Sequence, residues 1–302
     1  MACTSGNQMK IAFKEGATAD FSSGATQLII ESESLRKNET QIDLSGLKGS
    51  RRRTVEEIAE GGYNVSGSII LKPSAGALDL LLPWILGADE STDVFDVAET
   101  LQTFSVLIDR VATMTTRGTF KYEGLKVNRA ILRGSQGQPI RLELQLLGIE
   151  EEADSDAFPS LSVGTGLGWT PFVFNESTFQ YGSTAMKYRS FEITIDNAIE
   201  QRAENSITVE DNCEQDRIIT ARFDCPWQTS HGPEYDVAAK AGVFSMVKTG
   251  DAVSSIWQFG RCVQIAQAPT VGGKGRIPWN LNLDIRATGA TPDIQVLNDS
   301  AP

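Results

Sequence analysis

Two segments of the chain alternate strictly between apolar and polar residues. Residues 140–146 of the segment 139–148, and all of residues 279–287, place apolar side chains at every second position, with polar side chains between them. A period of two is typical of a β-strand with one face in a core and one face in water. We therefore expect both segments to be strands of antiparallel sheets. Less regular apolar segments predict further strands at residues 27–35, 65–71, 104–111, 119–133, 191–197, 217–225, 244–247 and 256–265.

The periodicity changes after residue 71. Pro73 lacks a backbone donor and ends the strand, Ser74 offers a side-chain oxygen at an N-cap position, and an apolar run follows as far as Gly87. This pattern predicts a short helix that Gly87 closes. Because the helix is apolar on nearly all sides, other elements must cover it. We therefore expect its burial to stabilise the fold rather than to serve an assembly.

The order and spacing of these elements recur in the second half of the chain. A strand at residues 217–225 precedes a predicted short helix at residues 234–242 and a closing pair of strands. We predict a mainly β protein of two tandem β-sandwich or barrel domains, each with one short flanking α-helix. An abrupt change to acidic and then glycine-rich composition marks the boundary between them. The predicted divisions are an N-terminal arm at 1–25, a first domain at 26–148, a linker at 149–170 and a second domain at 171–302.

Residues 36–62 show no steady period and carry clusters of opposite charge. The basic run 51–53 is followed by the acidic residues Glu56, Glu57 and Glu60. A long loop inside a compact domain is uncommon unless it has a function. Two interpretations are open: a solvated insertion, or an interaction loop that contacts a second copy of the chain.

The composition suits a β-rich globular protein and restricts its ligands. Of 302 residues, 40% are hydrophobic and 22% are charged, and 27 glycines favour turns and strands over long helices. The net charge of −12 repels phosphate groups, so tight nucleic-acid binding is not expected. No apolar run approaches the length of a membrane span, and the first residues lack the apolar region of a signal peptide. We expect a protein made in a reducing cytoplasm, without membrane contact.

Motifs for catalysis or ligand binding are weak. The four cysteines form no CxxC pair and His231 is the one histidine, which makes a zinc site unexpected. No Ser-His-Asp or Cys-His grouping surrounds His231. The segment GTGLG at residues 164–168 has no strand before it and no helix after it, and GGKG at residues 272–275 lacks the spacing of a phosphate-binding loop. We therefore predict no enzymatic activity, no cofactor and no metal.

Several segments together resemble a known protein family. EGGYNVSGSIILKPSAGALDLLLPWILG, FKYEGLKVNRAILRGSQGQPIRLELQLLGIE and, in the second half, FEITIDNAIEQRAENS with RIITARFDC are similar to the tail tube (major tail) protein of long-tailed, non-contractile bacteriophages. The resemblance covers nearly the whole chain, in two copies. It implies β-sandwich or barrel domains with one flanking helix per copy, rings stacked into a tube, and double-stranded DNA passing through the lumen.

The resemblance also implies partners and a location. Single-domain members form six-fold rings, so a duplicated member is expected to form trimers with pseudo-six-fold symmetry. Tape measure, tail terminator and distal tail proteins are the implied partners in the virion tail, after assembly in the host cytoplasm. An acidic lumen wall would let DNA slide without tight binding. We predict lumen-facing side chains at Glu143, Gln145, Glu192, Asp196, Asn282 and Asp284. We predict a ring-stacking loop that contains Arg51, Arg52, Arg53, Glu56 and Glu57.

A function from a different class is also compatible with the sequence. A two-domain β-sandwich binding module would recognise a carbohydrate or a receptor, or would belong to the baseplate or distal tail. Such a module predicts aromatic side chains clustered on an exposed sheet face. The candidates are Trp169, Phe172, Phe174, Phe179 and Tyr181, which would otherwise pack the two domains together.

Overall fold

The computed structural model describes most of the chain, and the described residues are mainly in strands. They are residues 9–44, 55–110, 118–154, 158–165, 167–204, 206–227, 239–248, 253–264, 271, 277–289 and 291–300. The mainly β fold class is therefore confirmed. The first-half strands are β1 (Lys10–Glu15), β2 (Thr26–Gln27), β3 (Ile30–Glu33), β4 (Arg36–Asp43), β5 (Ile58–Leu71), β6 (Val94–Phe95), β7 (Phe104–Asp109), β8 (Thr119–Ser135), β9 (Arg141–Gly148) and β10 (Glu150–Asp154).

The second half contributes the remaining strands. They are β11 (Ser177–Tyr181), β12 (Thr184–Met186), β13 (Ser190–Asp196), β14 (Glu200–Arg202), β15 (Asp211–Cys213), β16 (Ile218–Pro226), β17 (Ala239–Val247), β18 (Ser254–Gln264), β19 (Pro278–Arg286) and β20 (Ile294–Asp299). The named strands pair with one another in antiparallel fashion.

The two halves repeat one strand order. In the first half the order is β1–β7–β8–β9–β5, with β3 and β4 both paired to the outer side of β5. In the second half the order is β11–β17–β18–β19–β16–β13. Strands β3 and β4 follow one another along the same side of β5, and together they correspond to β13. This repetition of topology accompanies the repeated spacing seen in the sequence.

Strand β8 joins the two halves. Its first part pairs with β7 and β10, and its second part pairs with β9 on one side and with β13 on the other. Strand β10 lies at the start of the predicted linker, residues 149–170, so this part of the linker belongs to the sheet of the first half. Within the predicted N-terminal arm, β1 pairs with β7 and buries Ile11 and Phe13. The division into two domains stays a prediction.

The predicted helix is present as α1 (Ala75–Leu86). The Ser74 hydroxyl accepts the Ala77 backbone N–H at 3.2 Å, and Gly87 adopts the left-handed conformation that ends the helix, with φ of 96°. The helix lies between the two halves, because Asn197 Nδ2 of the second half donates to the Ile85 carbonyl at 3.1 Å. At the other end of the helix, Asn298 Nδ2 donates to the Ala75 carbonyl at 2.9 Å.

The helix predicted for the second half is wrong in its C-terminal part. Residues 239–242 belong to strand β17, while residues 234–238 lie outside the described part of the chain. Strand β17 pairs with β11 on one side and with β18 on the other, and it buries Phe244 and Met246. This pairing on both sides outweighs the weak helix propensity of an alanine-rich segment. Among the described residues, α1 is the one α-helix.

One hydrophobic core extends through both halves. In the second half it contains a cluster of aromatic rings, with Phe179 stacked on Phe223 at 3.9 Å and Phe191 against Phe244 at 4.6 Å between ring centroids. Of the aromatic residues proposed for an exposed binding face, Phe172, Phe174, Phe179 and Tyr181 are buried and Trp169 is partly buried against the core. The exposed aromatic face is therefore wrong.

Candidate assembly surfaces

The sheet β5–β9–β8–β13–β16–β19 has one buried face and one polar face. Alternation along each strand sends aliphatic and aromatic residues to the core and their neighbours to the opposite side. The register places Arg129 opposite both Gln145 and Asp196, so residues from both halves share the polar face. All six residues predicted to face a lumen lie on it: Glu143, Gln145, Glu192, Asp196, Asn282 and Asp284. That this face lines a lumen stays a prediction.

Basic side chains outside the six predicted lumen residues lie on the same polar face. Arg129 pairs with Asp196 and Arg133 with Glu143, the latter at 3.0 Å. The face is therefore charge-balanced rather than the acidic wall that we expected. The signal was available, because the same period of two assigns these arginines to the polar side of their strands. The basic residues on this face include Lys72, Arg129, Arg133, Arg141, Arg222 and Arg286.

Glu31 links two of these cations at one end of the sheet. Its carboxylate accepts Arg141 Nε at 2.6 Å and lies 3.2 Å from Lys72 Nζ. Burial acts to raise the pKa of Glu31, but the two cations outweigh it and hold this pKa below its usual range. The ionised carboxylate ties the start of β3 to β9 through Arg141 and to the residue after β5 through Lys72.

An open polar groove of about 520 Å³ lies where β8 meets β13. It is at the end of the sheet where β9 and β13 begin. Arg222 projects into this groove and forms no ion pair with any residue in the described part of the chain. The groove lining includes Arg133, Gln138, Arg141, Glu192, Arg222 and Asp224.

The described part of residues 36–62, a segment interpreted from the sequence as a loop, is largely a β-hairpin. Strand β4 pairs with β5, and residues 58–64 of β5 extend past its last pair with β9, Val65 opposite Gly148. The projecting hairpin buries neither face, and it therefore lacks the alternation that identifies half-buried strands. Arg51, Arg52 and Arg53 lie outside the described residues. Glu56 and Glu57 lie in a single 3-10 turn before β5, and the side chain of Glu56 is outside the described part.

The projecting end of the hairpin exposes large apolar side chains. Ile42 is 50% exposed, Leu44 60%, Val55 83% and Ile58 53%. We call these four residues the apolar hairpin end. Its base is held in place, because the Tyr63 backbone N–H donates to the Ile207 carbonyl at 2.8 Å. The register pairs Ile42 with Ala59 and Asp43 with Ile58, so these exposed side chains stand on both faces of the braced projection.

Strands β3 and β4 form an edge of the sheet, because among the described strands they pair with β5 alone. Side chains cover part of this edge. The Lys37 backbone N–H donates to Glu151 Oε2 at 2.8 Å, and the Leu35 carbonyl accepts the Tyr122 hydroxyl at 3.0 Å. Such caps protect a free edge from unordered pairing with other strands.

A family model described as phage tail tube protein matches residues 6–287 of the chain. The chain belongs to this family. The match spans both halves and confirms the resemblance seen in the sequence. A comparison with curated proteins found no match.

Membership of the tail tube family gives the protein a structural role in a phage virion tail. The family implies self-assembly into a tube together with other tail proteins, and its structural character favours a non-enzymatic role. Within the described ranges, no helix of this tail tube protein is long and apolar enough to cross a membrane. The described residues also contain no group of His, Cys, Asp and Glu side chains suited to a metal ion.

Proposed function

We propose that three copies of this tail tube protein form a ring with pseudo-six-fold symmetry. The rings would stack into the tail tube of a long-tailed, non-contractile phage, through which double-stranded DNA passes during ejection. The observation that carries this proposal is the repeated strand order of the two halves, joined by the pairing of β8 with β13.

The junction between the halves suggests how copies join. In the second half, β13 pairs with β16 and also with β8 of the first half. Its counterpart in the first half, β3–β4, pairs with β5 alone among the described strands. Repeating the internal junction between molecules would bring β3–β4 of one copy to the C-terminal end of β18 of the next, since β18 is the counterpart of β8 and its earlier residues pair on both sides. With two halves per chain, a closed ring of three chains contains six equivalent positions and no free sheet edge.

The polar face is the proposed lumen wall. Several of its arginines are engaged by carboxylates of the same face, as in the pairs Arg129–Asp196 and Arg286–Asp284. A paired guanidinium releases fewer counterions on meeting a phosphate than a free one, and it therefore holds DNA less tightly. A balanced wall would allow passage of DNA without tight binding. The tape measure, terminator and distal tail proteins are the proposed partners, and assembly would occur in the host cytoplasm without enzymatic activity.

Electron microscopy and light scattering of the purified protein test the proposal. We expect trimeric rings or tubes for the natural sequence. Lys37→Pro removes the outward-facing N–H of the β4 edge, which donates to Glu151 in a free copy and which pairing with a neighbour would need instead. The free copy loses this one hydrogen bond, whereas pairing along β4 is blocked. This variant is expected to stay a folded monomer, whereas Lys37→Ala keeps the N–H and should form rings.

Two outcomes would contradict the proposal. The first is a natural protein that remains a monodisperse monomer at high concentration, and glycan binding by that monomer would support the binding module instead. The second is normal rings from Lys37→Pro, which would exclude pairing through the β4 edge.

A further inference from the structure

We propose that the open polar groove where β8 meets β13 binds a phosphate group. The groove has a volume of about 520 Å³. Three guanidinium groups line it, those of Arg133, Arg141 and Arg222. Arginine, serine, asparagine and glutamine side chains are among the groups that contact phosphate oxygens in protein–nucleic-acid complexes. The lining also offers uncharged donors of this kind: Ser135, Gln138, Ser190 and Asn280.

The three cations lie in one row across the sheet. Arg141 of β9 is opposite Arg133 of β8. Glu192 of β13 is opposite Arg133 on one side and Arg222 of β16 on the other. Neighbouring strands lie about 4.8 Å apart, so the backbones of Arg133 and Arg222 are roughly 10 Å apart. Two long arginine side chains can therefore reach one phosphate group from opposite sides of the groove.

Arg222 is the residue of this row that is open to a ligand. It is exposed, and it forms no hydrogen bond or ion pair with another residue in the described part of the chain. A guanidinium group carries five N–H donors in a planar fork, which matches two oxygens of a phosphate group. Arg222 therefore supplies the main contact, because its donors do not have to leave a protein acceptor when the ligand binds.

The other two guanidinium groups are held in place by carboxylates. Arg133 Nη2 lies 3.0 Å from Glu143 Oε2, and Arg141 Nε lies 2.6 Å from Glu31 Oε2. Neither glutamate is among the described residues that line the groove. A carboxylate has two oxygens, so each of these arginines keeps N–H donors for a second acceptor. The two ion pairs thus orient Arg133 and Arg141 without using all of their donors.

The groove has no large excess of positive charge. Its described lining contains two carboxylates, Glu192 and Asp224, beside the three guanidinium groups. Attraction to a phosphate group therefore comes from directed donors rather than from net charge, and Glu192 opposes it at short range. We expect weak, reversible binding. Such a contact suits a phosphate group that arrives and leaves, either in a DNA backbone or in a small phosphate from solution.

Titration with inorganic pyrophosphate tests the site. In a chloride buffer, we expect the Arg222 Nε–H resonance of the purified full chain to shift and saturate, and Arg222→Gln identifies this resonance by its loss. Phosphorus NMR of pyrophosphate reports the affinity. Arg222→Gln should lower this affinity by about tenfold or more, because a charge-assisted bidentate contact contributes at least that factor.

Arg261→Gln is the matched control. Arg261 is exposed on β18 and is not among the described residues of the groove. Its replacement removes the same charge from the chain, so the affinity for pyrophosphate should change by less than about twofold.

Glu192→Gln provides a second measurement with the opposite sign. It removes the carboxylate that stands between Arg133 and Arg222 in the register, and it keeps a side chain of similar size. We expect the affinity for pyrophosphate to rise, because a negative charge near the phosphate group is lost. Glu192 is exposed, so thermal stability should stay that of the natural protein. A fall in affinity would contradict a phosphate site.

A DNA titration identifies the source of the phosphate group. Binding of a short fluorescent duplex is measured by anisotropy over a range of salt concentrations. If DNA phosphates enter the groove, Arg222→Gln should lower the slope of log K against log salt by about 1, while Arg261→Gln leaves it unchanged. If all three proteins give one slope while pyrophosphate binding still depends on Arg222, the groove holds a small phosphate instead.

Two results would overturn the site. One is an Arg222 resonance that does not move with pyrophosphate, and the other is an equal loss of affinity in Arg222→Gln and Arg261→Gln. The groove lies within one chain, so these measurements do not require rings. Tubes without pyrophosphate binding would remove this site and leave the proposed function, whereas pyrophosphate binding by a protein that never forms rings would do the reverse.

Discussion

The two halves of this tail tube protein share a strand order but cover their sheets differently. In the first half the helix α1 supplies the cover, and Trp84 stacks on Phe104 at 4.3 Å between ring centroids. In the second half phenylalanines from facing strands fill the same role, as in the pair Phe179–Phe223. A sheet needs an apolar layer over its buried face, and either a helix or aromatic rings can provide it. The strand order is thus the shared requirement, while the cover is interchangeable.

The halves also differ at the end of the sheet where the hairpin projects. The first half extends β4 and β5 into a long hairpin, whereas the second half connects β13 to β16 through the short pair β14–β15. Both differences lie outside the strand pairings that the two halves have in common. Contacts along a tube can therefore be specialised in one half without changing the sheet that would form the ring.

The largest expected effect is in the helix cover of the first half. Leu81→Asp places an unpaired charge among buried residues and should cost at least about 4 kcal/mol, enough to prevent folding. The volume-conserving Leu81→Met should cost less than about 1.5 kcal/mol. Circular dichroism during thermal unfolding checks both. A soluble, folded Leu81→Asp protein that merely fails to polymerise would contradict the role of α1 in the core.

The aromatic cover of the second half should respond somewhat less. Phe223→Ala opens a cavity beneath the ring of Phe179 and is expected to cost about 3 to 4 kcal/mol, while Phe223→Leu should cost clearly less. Because one core runs through both halves, we expect a single unfolding transition that shifts as a whole. Two transitions in calorimetry, with only one moved by Phe223→Ala, would instead show halves that unfold independently.

The contact between the halves should have an intermediate effect. Asn197 Nδ2 donates to the carbonyls of Ile85 and Val127, so Asn197→Ala leaves buried acceptors without a donor. We expect a loss of about 2 kcal/mol in urea unfolding. Exposed Asn175 provides the control, and Asn175→Ala should change stability by less than about 0.5 kcal/mol. Equal effects from both variants would mean that the bridge to α1 contributes nothing.

The smallest expected effect concerns Asp79, the one charge on α1. Burial raises the pKa of its carboxyl, with Asn298 acting in the opposite direction. A raised pKa in the folded state means that ionisation of Asp79 opposes folding at neutral pH, and that this penalty disappears as the pH falls through the folded-state pKa. Asp79→Asn should therefore be slightly more stable than the natural protein at pH 7, with the difference shrinking in acid. Unfolding measured across pH would contradict this if the variant were less stable at pH 7 than in acid, relative to the natural protein.

Much of the fold could be predicted from residue patterns. Helix α1 begins at its Ser74 cap and ends at Gly87, as expected from local chemistry. Strand β9 alternates in burial as its sequence alternates in polarity. The hairpin of β4 and β5 was not predicted, because strands exposed on both faces carry no alternation. The prediction of a second helix was partly wrong, because residues 239–242 begin strand β17, which pairs with β11 and β18.

The candidate surfaces could be predicted only in part. Alternation was sufficient to put Glu143, Glu192 and Asp284 on polar strand faces, and the register then brought these faces together across both halves. The predicted lumen residues were all acids or amides, and they left out the arginines that neutralise the acids. A small apolar cleft of about 140 Å³ beside Ile29 had no signal in the sequence, because its lining comes from segments as distant as Leu28 and Trp169.

The sequence by itself determined the strands with one wet face, the capped apolar helix and the duplicated order of elements, because periodicity and capping act over a few residues. Only the tertiary structure decided that β8 joins the halves through β13, that arginines balance the polar face, and that the hairpin of β4 and β5 projects past the last pair of β5 with β9. These features depend on which distant strands pair and in which register. That choice follows from the packing of the whole core rather than from any local pattern.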